Sequence, residues 1–503
     1  MADQASLLEK KPSSIDDAIE SCIGSTGYCQ LLQAILVVMA WVFDAQQTFI
    51  NVFTDADPSW HCTDKNDSSC ASAISPCNLP EGSWSWSQPK YASVVSEWDL
   101  QCSPPVLVGL PASAYFMGCL IGGFFLATLA DSRLGRRKML VYSCLTMSLA
   151  ASLAALSPNV WVYSSLRFIC GLGRATVGTS AMVLSTEIVG KKWRDRVSII
   201  GFILFDVGFV SLPAIAYLNR GSSWRNIYLW TSAPSFCYTI LVYFLAKESP
   251  RWLFVRGRKE EAIDTLKRTA KSNGCIINTS FSNLSIVEEK WNVDVFSALK
   301  ILWEKKWAFK RLTAVMIVGF GIGIVYYGMP LNLGNLGSNL YVSVTFNALA
   351  ELPSNLFAFF FIDRISRRYS TLVLTAASGL TSLMCAFLTA SGWQMVAELV
   401  SFFCTCAVFN VLMIYTIELF PTCVRNSALS MVRQALVFGG VFAPLLVAEG
   451  RKRNYLSFGV FGLVIGCCGV FAACLPETMG SGISDTIEEE ECKVTAASLN
   501  VNP

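Results

Sequence analysis

Apolar runs about twenty residues long recur along the whole chain, separated by polar stretches. Twelve of them cover residues 28–52, 105–130, 139–157, 160–187, 197–218, 225–246, 312–332, 340–362, 371–391, 394–417, 427–447 and 455–475. Each can cross roughly 30 Å of hydrocarbon as a helix. The pattern predicts an all-α membrane protein with twelve transmembrane helices. A polar segment, 247–311, separates two six-helix halves, 28–246 and 312–475. Within it, "KEEAIDTLKRTAK" has the spacing of a short amphipathic helix. A second polar segment, 53–104, forms a loop after the first span, and the tails are 1–27 and 476–503. The first 26 residues are mostly polar and lack a cleavage site after a short apolar core, so no cleavable signal peptide is expected.

Composition sharpens the class. The 503-residue chain is 53% hydrophobic and 15% charged, with a mean hydropathy of +0.47. Its net charge of +3 says less than where the charges fall. Most of the nineteen cysteines lie in apolar runs and behave as small hydrophobes. Cys62, Cys70, Cys77 and Cys102 differ, because all four lie in the loop 53–104. Four cysteines in one loop imply two disulfides, with three possible pairings. Asn66-Asp67-Ser68 in the same loop is a glycosylation sequon. Both features suit an oxidising, lumenal or extracellular face.

Basic residues orient the chain. Arg133, Arg136, Arg137 and Lys138 follow span two; Lys191, Lys192, Arg194 and Arg196 follow span four; Arg364, Arg367 and Arg368 follow span eight. These loops share one side, so the positive-inside rule puts both tails and 247–311 in the cytosol. Sequons at Asn278 and Asn283 then face the cytosol and stay unused. Arg451, Lys452 and Arg453 break the rule, since they lie on the opposite face. The sequence offers no account of them.

The two halves echo each other. "LADSRLGRRKML" follows span two and "FIDRISRRYS" follows span eight. Glu187 precedes Arg194 by seven residues, and Glu418 precedes Arg425 by seven. "KESPRWL" follows span six and "LPETMG" follows span twelve. A repeat of six spans is a transporter signature, with the site expected between the halves near mid-membrane.

These motifs carry a family resemblance. Asp131, Arg133, Gly135, Arg136 and Arg137 resemble the signature loop of the major facilitator superfamily. "YTIELFPTCVRN", "ESPRWL", "YYG" and the cysteine-rich loop resemble its organic cation/carnitine transporter family, and "WVFDAQQTFINVFTDADPSWHC" is most similar to the plant branch. The sequence departs from the pattern at Ser132, which lengthens the loop, and at Ala127 and Ser366, where glycine is usual. The resemblance implies that spans 3, 6, 9 and 12 are outer supports and the other eight line a central cavity. It also implies that Asp131, Arg133, Arg136, Glu187 and Arg194 form a charge cluster that gates the cytosolic helix ends. Asp363, Arg367, Glu418 and Arg425 would be its copy. Ion pairs that form in one access state and break in the other would bias a rocking motion. The position twelve after Arg425, often charged in the family, is Val437 here, and Arg433 lies one turn earlier.

Charges inside spans are costly and mark functional sites by default. Six stand out: Asp44, Arg174, Asp206, Glu351, Glu398 and Arg433. None falls in the interior of spans 3, 6, 9 or 12. Four acids face two bases, which favours a cationic or zwitterionic substrate. Asp206 and Glu351 lie near the midplane and lead the substrate or proton candidates. Asp44 is sixteen residues into span one, about 24 Å along a helix. That depth suits a contact on entry or a lock against Arg174. Glu351, two residues before Pro353, has a helix-stabilising hydrogen bond as its alternative. Arg433 either pairs a carboxylate such as Glu351 or binds a substrate carboxylate. Glu398 is placed near the outer end and expected to reach water. Tyr115, Phe116, Tyr326 and Tyr327 could add cation–π contacts, and Asn410 of span ten completes the candidate set.

Other chemistry is missing. No Walker A sequence is present, His61 in the outer loop is the sole histidine, and no Cys/His spacing fits zinc. Cys404 and Cys406 read as packing, and "SDTIEEEE" reads as a solvated end. No cofactor, metal, nucleic acid or enzyme activity is expected. The reading is an alternating-access transporter of organic cations, carnitine-like zwitterions or polyamines. Protons are a candidate co-substrate, membrane lipid is the surround, and a monomer is expected. A sugar or neutral-solute porter of the same fold and a non-transporting receptor are the alternatives. "DQASLL" at 3–8 matches an acidic dileucine signal and favours the vacuolar over the plasma membrane.

Overall fold

The computed structural model describes residues 28–64, 70, 73, 76–80, 82–129, 134–272, 295–361, 364–388, 390–451, 454–480, 484 and 486–499. Asn66, Asp131, Arg133, Asn278, Asn283, Asp363, Lys452, Arg453 and the dileucine sequence lie outside the described residues.

Among the described residues, twelve long helical segments follow one another. In the first half they are α1 (Tyr28–Thr54), α2 (Pro105–Leu129), α3 (Arg136–Ala154), α4 (Val160–Ile188), α5 (Lys191–Leu218) and α6 (Trp224–Leu245). In the second they are α7 (Lys306–Asn332), α8 (Leu340–Phe361), α9 (Arg367–Phe387), α10 (Ser391–Leu419), α11 (Thr422–Gly450) and α12 (Asn454–Gly469). Among the described residues, nine of these segments are long and apolar enough to cross a membrane by length and composition alone. Several helices outrun their apolar stretch. The α5 helix starts at Lys191 and α7 at Lys306, six residues earlier than hydropathy places each of them. Backbone hydrogen bonding and caps end a helix, whereas hydropathy registers only its apolar part. Two spans are interrupted: α1 at Met39 and Ile50, and α4 at Ala175 and Thr176.

Close backbone approach positions the inner helices. A Cβ on Gly208 of α5 would meet the Val42 carbonyl of α1 at 2.3 Å. Only glycine lets these backbones touch there, two residues from Asp206 and from Asp44. Across the two halves, α2 packs on α11 and α5 on α8.

The repeated spacing of the two halves becomes matched helix caps. Gly135 precedes α3 with φ +83, and a Cβ there would lie 2.5 Å from Glu248 Oε2. Glycine thus supplies both the left-handed turn and the room. Glu248, from "KESPRWL", accepts the backbone N–H groups of Arg136 and Arg137 at 3.1–3.2 Å. In the second half, Ser366 caps α9, and Glu477 from "LPETMG" accepts the N–H groups of Arg367 at 3.0 Å and Arg368 at 3.3 Å. A carboxylate at a helix N-terminus meets otherwise unpaired donors and the positive end of the helix dipole. Burial raises the Glu248 carboxyl above its ordinary range, against the backbone N–H groups of Ser249, Arg137 and Arg136. At exposed Glu477 burial also pushes upward, but bonds from Ser366, Met479, Arg367 and Thr478 prevail and hold it below.

The loop 53–104 holds a two-stranded antiparallel ribbon, Trp60–Cys62 with Trp84–Trp86. The structure selects one disulfide pairing, Cys62–Cys70 and Cys77–Cys102. The segment "KEEAIDTLKRTAK" lies in a helix, Lys259–Ser272. The acidic C-terminal segment differs from the expectation of a solvated end. It forms the helix Ile487–Leu499, whose Glu490 pairs with Arg311 of α7 at 2.6 Å and whose Glu491 pairs with Lys305 at 2.8 Å. These two cations lie within and just before the first turns of α7.

Candidate functional site

A cavity opens where the halves meet, about 520 Å³ counting its mouth. The first half contributes Trp41 of α1, Arg174 of α4, and Phe202, Phe205 and Asp206 of α5. The second half contributes Tyr326 and Tyr327 of α7, Glu351 and Asn355 of α8, and Cys406, Phe409 and Asn410 of α10. Among the described residues, none from α3, α6, α9 or α12 lines it.

Two buried carboxylates face this space from opposite halves. Asp206 Oδ2 accepts from Asn355 Nδ2 at 3.1 Å, a bond that crosses between the halves. Asn410 Nδ2 donates to Asn355 Oδ1 at 2.7 Å and so fixes which way the Asn355 amide points. Tyr326 donates its hydroxyl to Glu351 Oε1 at 2.7 Å. The second oxygen of each acid, Asp206 Oδ1 and Glu351 Oε2, is buried and has no hydrogen-bond partner among the described residues. Neither acid forms an ion pair among them. Aromatic rings complete the wall: Tyr326 stacks on Phe409 at 5.2 Å, and Trp41 meets Phe205 edge-on at 5.9 Å.

The candidates therefore separate. Arg174, Asp206, Tyr326, Tyr327, Glu351 and Asn410 line the cavity. Asp44 lies behind it, 2% exposed, and is locked to Arg174 through Arg174 Nε. Tyr115 and Phe116 are buried in the packing: the Arg167 guanidinium stacks on Tyr115 at 4.2 Å, and Phe116 tilts on Tyr327 at 4.6 Å. Arg433 lies within electrostatic reach of Tyr327 and Arg174 and has no ion pair among the described residues. Glu398 corrects the expectation of solvation. It is fully buried and accepts from Asn347 Nδ2 of α8 at 2.9 Å, because α10 begins at Ser391 and carries Glu398 two turns inside the helix.

Some residues escaped sequence reasoning. Arg167 of α4 is a seventh charge within the spans and is fully buried. It donates to the Gln47 carbonyl at 3.0 Å and to Asn51 Oδ1. It lies seven residues, two turns, before Arg174, so helical spacing could have flagged it. Asn355 is one turn after Glu351, and Phe202 is one turn before Asp206. Trp41 and Phe409 carry no signal that separates them from ordinary core aromatics.

Residues 94–444 match the sequence profile of the Major Facilitator Superfamily. The chain is 55% identical to Organic cation/carnitine transporter 2 of Arabidopsis thaliana, over 98% of this chain and 96% of that one. It is 56% identical to Organic cation/carnitine transporter 3 of the same plant, over 96% and 95%. The chain belongs to the organic cation/carnitine transporter family of the major facilitator superfamily. It is also 32% identical to mouse Solute carrier family 22 member 3, over 82% of this chain and 74% of that one. The fold matches the proton:xylose symporter XylE bound to 6-bromo-6-deoxy-D-glucose, with a TM-score of 0.61 at 18% identity over 92% of this chain and 98% of that one. As a member of this transporter family the chain is a membrane transporter, not an enzyme.

In this member of the organic cation/carnitine transporter family, two ion pairs among the described residues join expected gating charges, one within each half. Arg136 approaches Glu187 at 3.9 Å, tying α3 to α4. Arg367 binds Glu418 at 3.0–3.3 Å, tying α9 to α10, and Thr478 adds a hydroxyl to Glu418 at 2.6 Å. Arg194 Nε donates to the Thr186 carbonyl at 3.2 Å, and Arg425 Nε to the Phe420 carbonyl at 3.3 Å. Arg425 forms no ion pair among the described residues. An ion pair between halves occurs elsewhere, on the face of the cysteine-rich loop, where Arg451 meets Asp57 at 2.8 Å.

Proposed function

We propose that the protein moves small organic cations, among them quaternary ammonium compounds, carnitine-like zwitterions or polyamines, by alternating access of its two halves. One observation carries this reading. Asp206 and Glu351 each present a buried, unpartnered carboxylate oxygen to an aromatic-lined cavity. A cation is the ligand that repays such desolvated charge, and the rings add cation–π attraction of up to about 2 kcal/mol each when desolvated. The family membership supports the same substrate class. Arg174 at the cavity wall, with Arg433 nearby, favours a zwitterion as the second reading, with the carboxylate on the basic side.

The proposed topology puts both tails and 247–311 in the cytosol and the disulfide-bearing loop on the lumenal or extracellular side, with Asn66 glycosylated. The vacuolar membrane is the proposed location, on the strength of "DQASLL". The test is uptake of labelled tetraethylammonium, carnitine, a polyamine and glucose by proteoliposomes. Uptake of the first three that Asp206→Asn and Glu351→Gln abolish, with normal folding, supports the reading. Glucose uptake unaffected by either substitution overturns it.

A further inference from the structure

We infer that Asp206 and Glu351 act as one exchange site, which holds either a single proton or a single organic cation. The cation then crosses in one direction as a proton crosses in the other. This deepens the organic-cation reading above and rests on it.

The charge count around the cavity is the starting point. Asp206, Glu351 and Arg174 line it, and Asp44 lies behind, held by Arg174. Arg433 stands within electrostatic reach of Arg174 and Tyr327. The Asp44–Arg174 pair cancels itself, and neither Asp206 nor Glu351 forms an ion pair among the described residues, so these two acids set the charge of the site. One monovalent cation or one proton lowers that charge by one unit, and the two compete for the same free oxygens.

Geometry fixes where that charge resides. Asp44 is satisfied by Arg174, so the excess belongs to Asp206 and Glu351. Each has one oxygen committed, to Asn355 and to Tyr326 respectively, and one oxygen free. Glu351 acts electrostatically on Asp206. Two buried carboxylates that share one cavity repel each other when both ionise, so without a cation one keeps its proton and they titrate as a pair. The other titratable groups facing them change nothing in this count. Tyr326 and Tyr327 on α7 and Cys406 on α10 are neutral, and Glu398, higher on α10, is turned to Asn347.

The exchange follows. In the empty site one carboxyl keeps its proton on the free oxygen. When the cation enters, that O–H bond breaks and the proton passes to water on the open side. Both loaded states carry the same charge, one unit less negative than the doubly ionised empty state, and moving that extra unpaired charge through the membrane interior is costly. The halves therefore rock only with a proton or a cation aboard, which enforces one-for-one exchange.

Tetraethylammonium is the probe, because it carries a permanent charge and no proton of its own. The full-length protein is reconstituted in vesicles with an acidic interior and an internal pH dye. The expected result is tetraethylammonium entry matched one to one by proton exit, unchanged when valinomycin and potassium set the membrane potential. In detergent, tetraethylammonium affinity should fall about tenfold per pH unit on the acid side, as competition by one proton demands. Glu351→Gln should move that competition to more acid pH by at least one unit, because the remaining acid no longer faces a like charge. Asp206→Asn makes the same prediction from the other half, so a folding defect in one variant leaves the other to decide. Tetraethylammonium flux that follows the membrane potential and moves no protons overturns the exchange while leaving the transport reading intact. Competition at unchanged pH in both variants overturns it as well. Absence of flux for every organic cation overturns both readings together.

Discussion

Arg451, the residue that follows α11, donates from Nη1 to Asp57 Oδ1 at 2.8 Å and from Nη2 to the Asp55 carbonyl at 2.7 Å. The second half is thereby tied to the first on the face of the cysteine-rich loop. This gives a physical role to the residue that opened the one basic loop at odds with the charge rule. The side chains are 19% and 42% exposed, so the pair is worth about 1 kcal/mol or less. Arg451→Gln and Asp57→Asn should each change the initial uptake rate by up to about fivefold, the equivalent of about 1 kcal/mol. The charge swap Asp57→Arg with Arg451→Asp should restore the rate. Rates that stay within error in both single variants would remove the latch from the transport cycle.

The Asp44–Arg174 pair behaves differently because it is buried. Asp44→Asn leaves Arg174 without its counter-ion at the cavity wall, at a cost of about 3–5 kcal/mol. The double variant Asp44→Asn with Arg174→Gln removes both charges and should recover most of that loss. Thermal unfolding in detergent reads the difference. A single variant as stable as the double one would show that the pair is not energetically coupled.

Glu398 offers a contrast, since it is buried and forms no ion pair among the described residues. A neutral carboxylic acid in this place loses little when replaced by an amide of the same shape. Glu398→Gln should therefore change stability by less than about 1 kcal/mol, whereas Glu398→Ala leaves Asn347 unpartnered and should cost about 2–3 kcal/mol. Equal losses in the two variants would mean that Glu398 carries a charge in the folded protein.

The two cap glutamates should respond to acid in opposite ways. Glu477 is held below its ordinary value of 4.5, so its contribution is complete above that pH and is lost as pH falls through the folded value. Glu248 is raised above the same ordinary value, so the folded state binds its proton more readily and gains stability as pH falls toward 4.5. The stability gap between wild type and Glu477→Gln should narrow below pH 4.5. For Glu248→Gln the gap should change between neutral pH and 4.5 instead. Thermal unfolding of each variant from pH 7 to pH 4 measures both, and parallel curves for the two would contradict the assignment.

Much of the architecture was legible before any coordinates. Twelve apolar runs, a six-span repeat and the matched "KESPRWL" and "LPETMG" segments follow from residue type and spacing, because the hydrocarbon demands long apolar helices and the caps demand acids at fixed places. The site was half legible. Asp206, Glu351, Arg174, Tyr326, Tyr327 and Asn410 are anomalous in type or recur in motifs, so sequence flags them. Asn355, Trp41, Phe202, Phe205 and Phe409 are ordinary residues whose side chains happen to meet. The acidic tail and Glu398 were misjudged for one reason: burial depends on which distant element lies opposite, and the local sequence does not carry that information.

The sequence by itself determined that this chain spans a membrane in two related halves, and which charges are too costly to be incidental. Only the tertiary structure decided the partners. It matched Asp44 to Arg174 and left one oxygen of Asp206 and one of Glu351 unsatisfied. It also brought those two acids, 145 positions apart in the chain, to one cavity. Burial cost is a property of a residue and its span, and it is readable in one dimension. Its compensation is a property of neighbours in three.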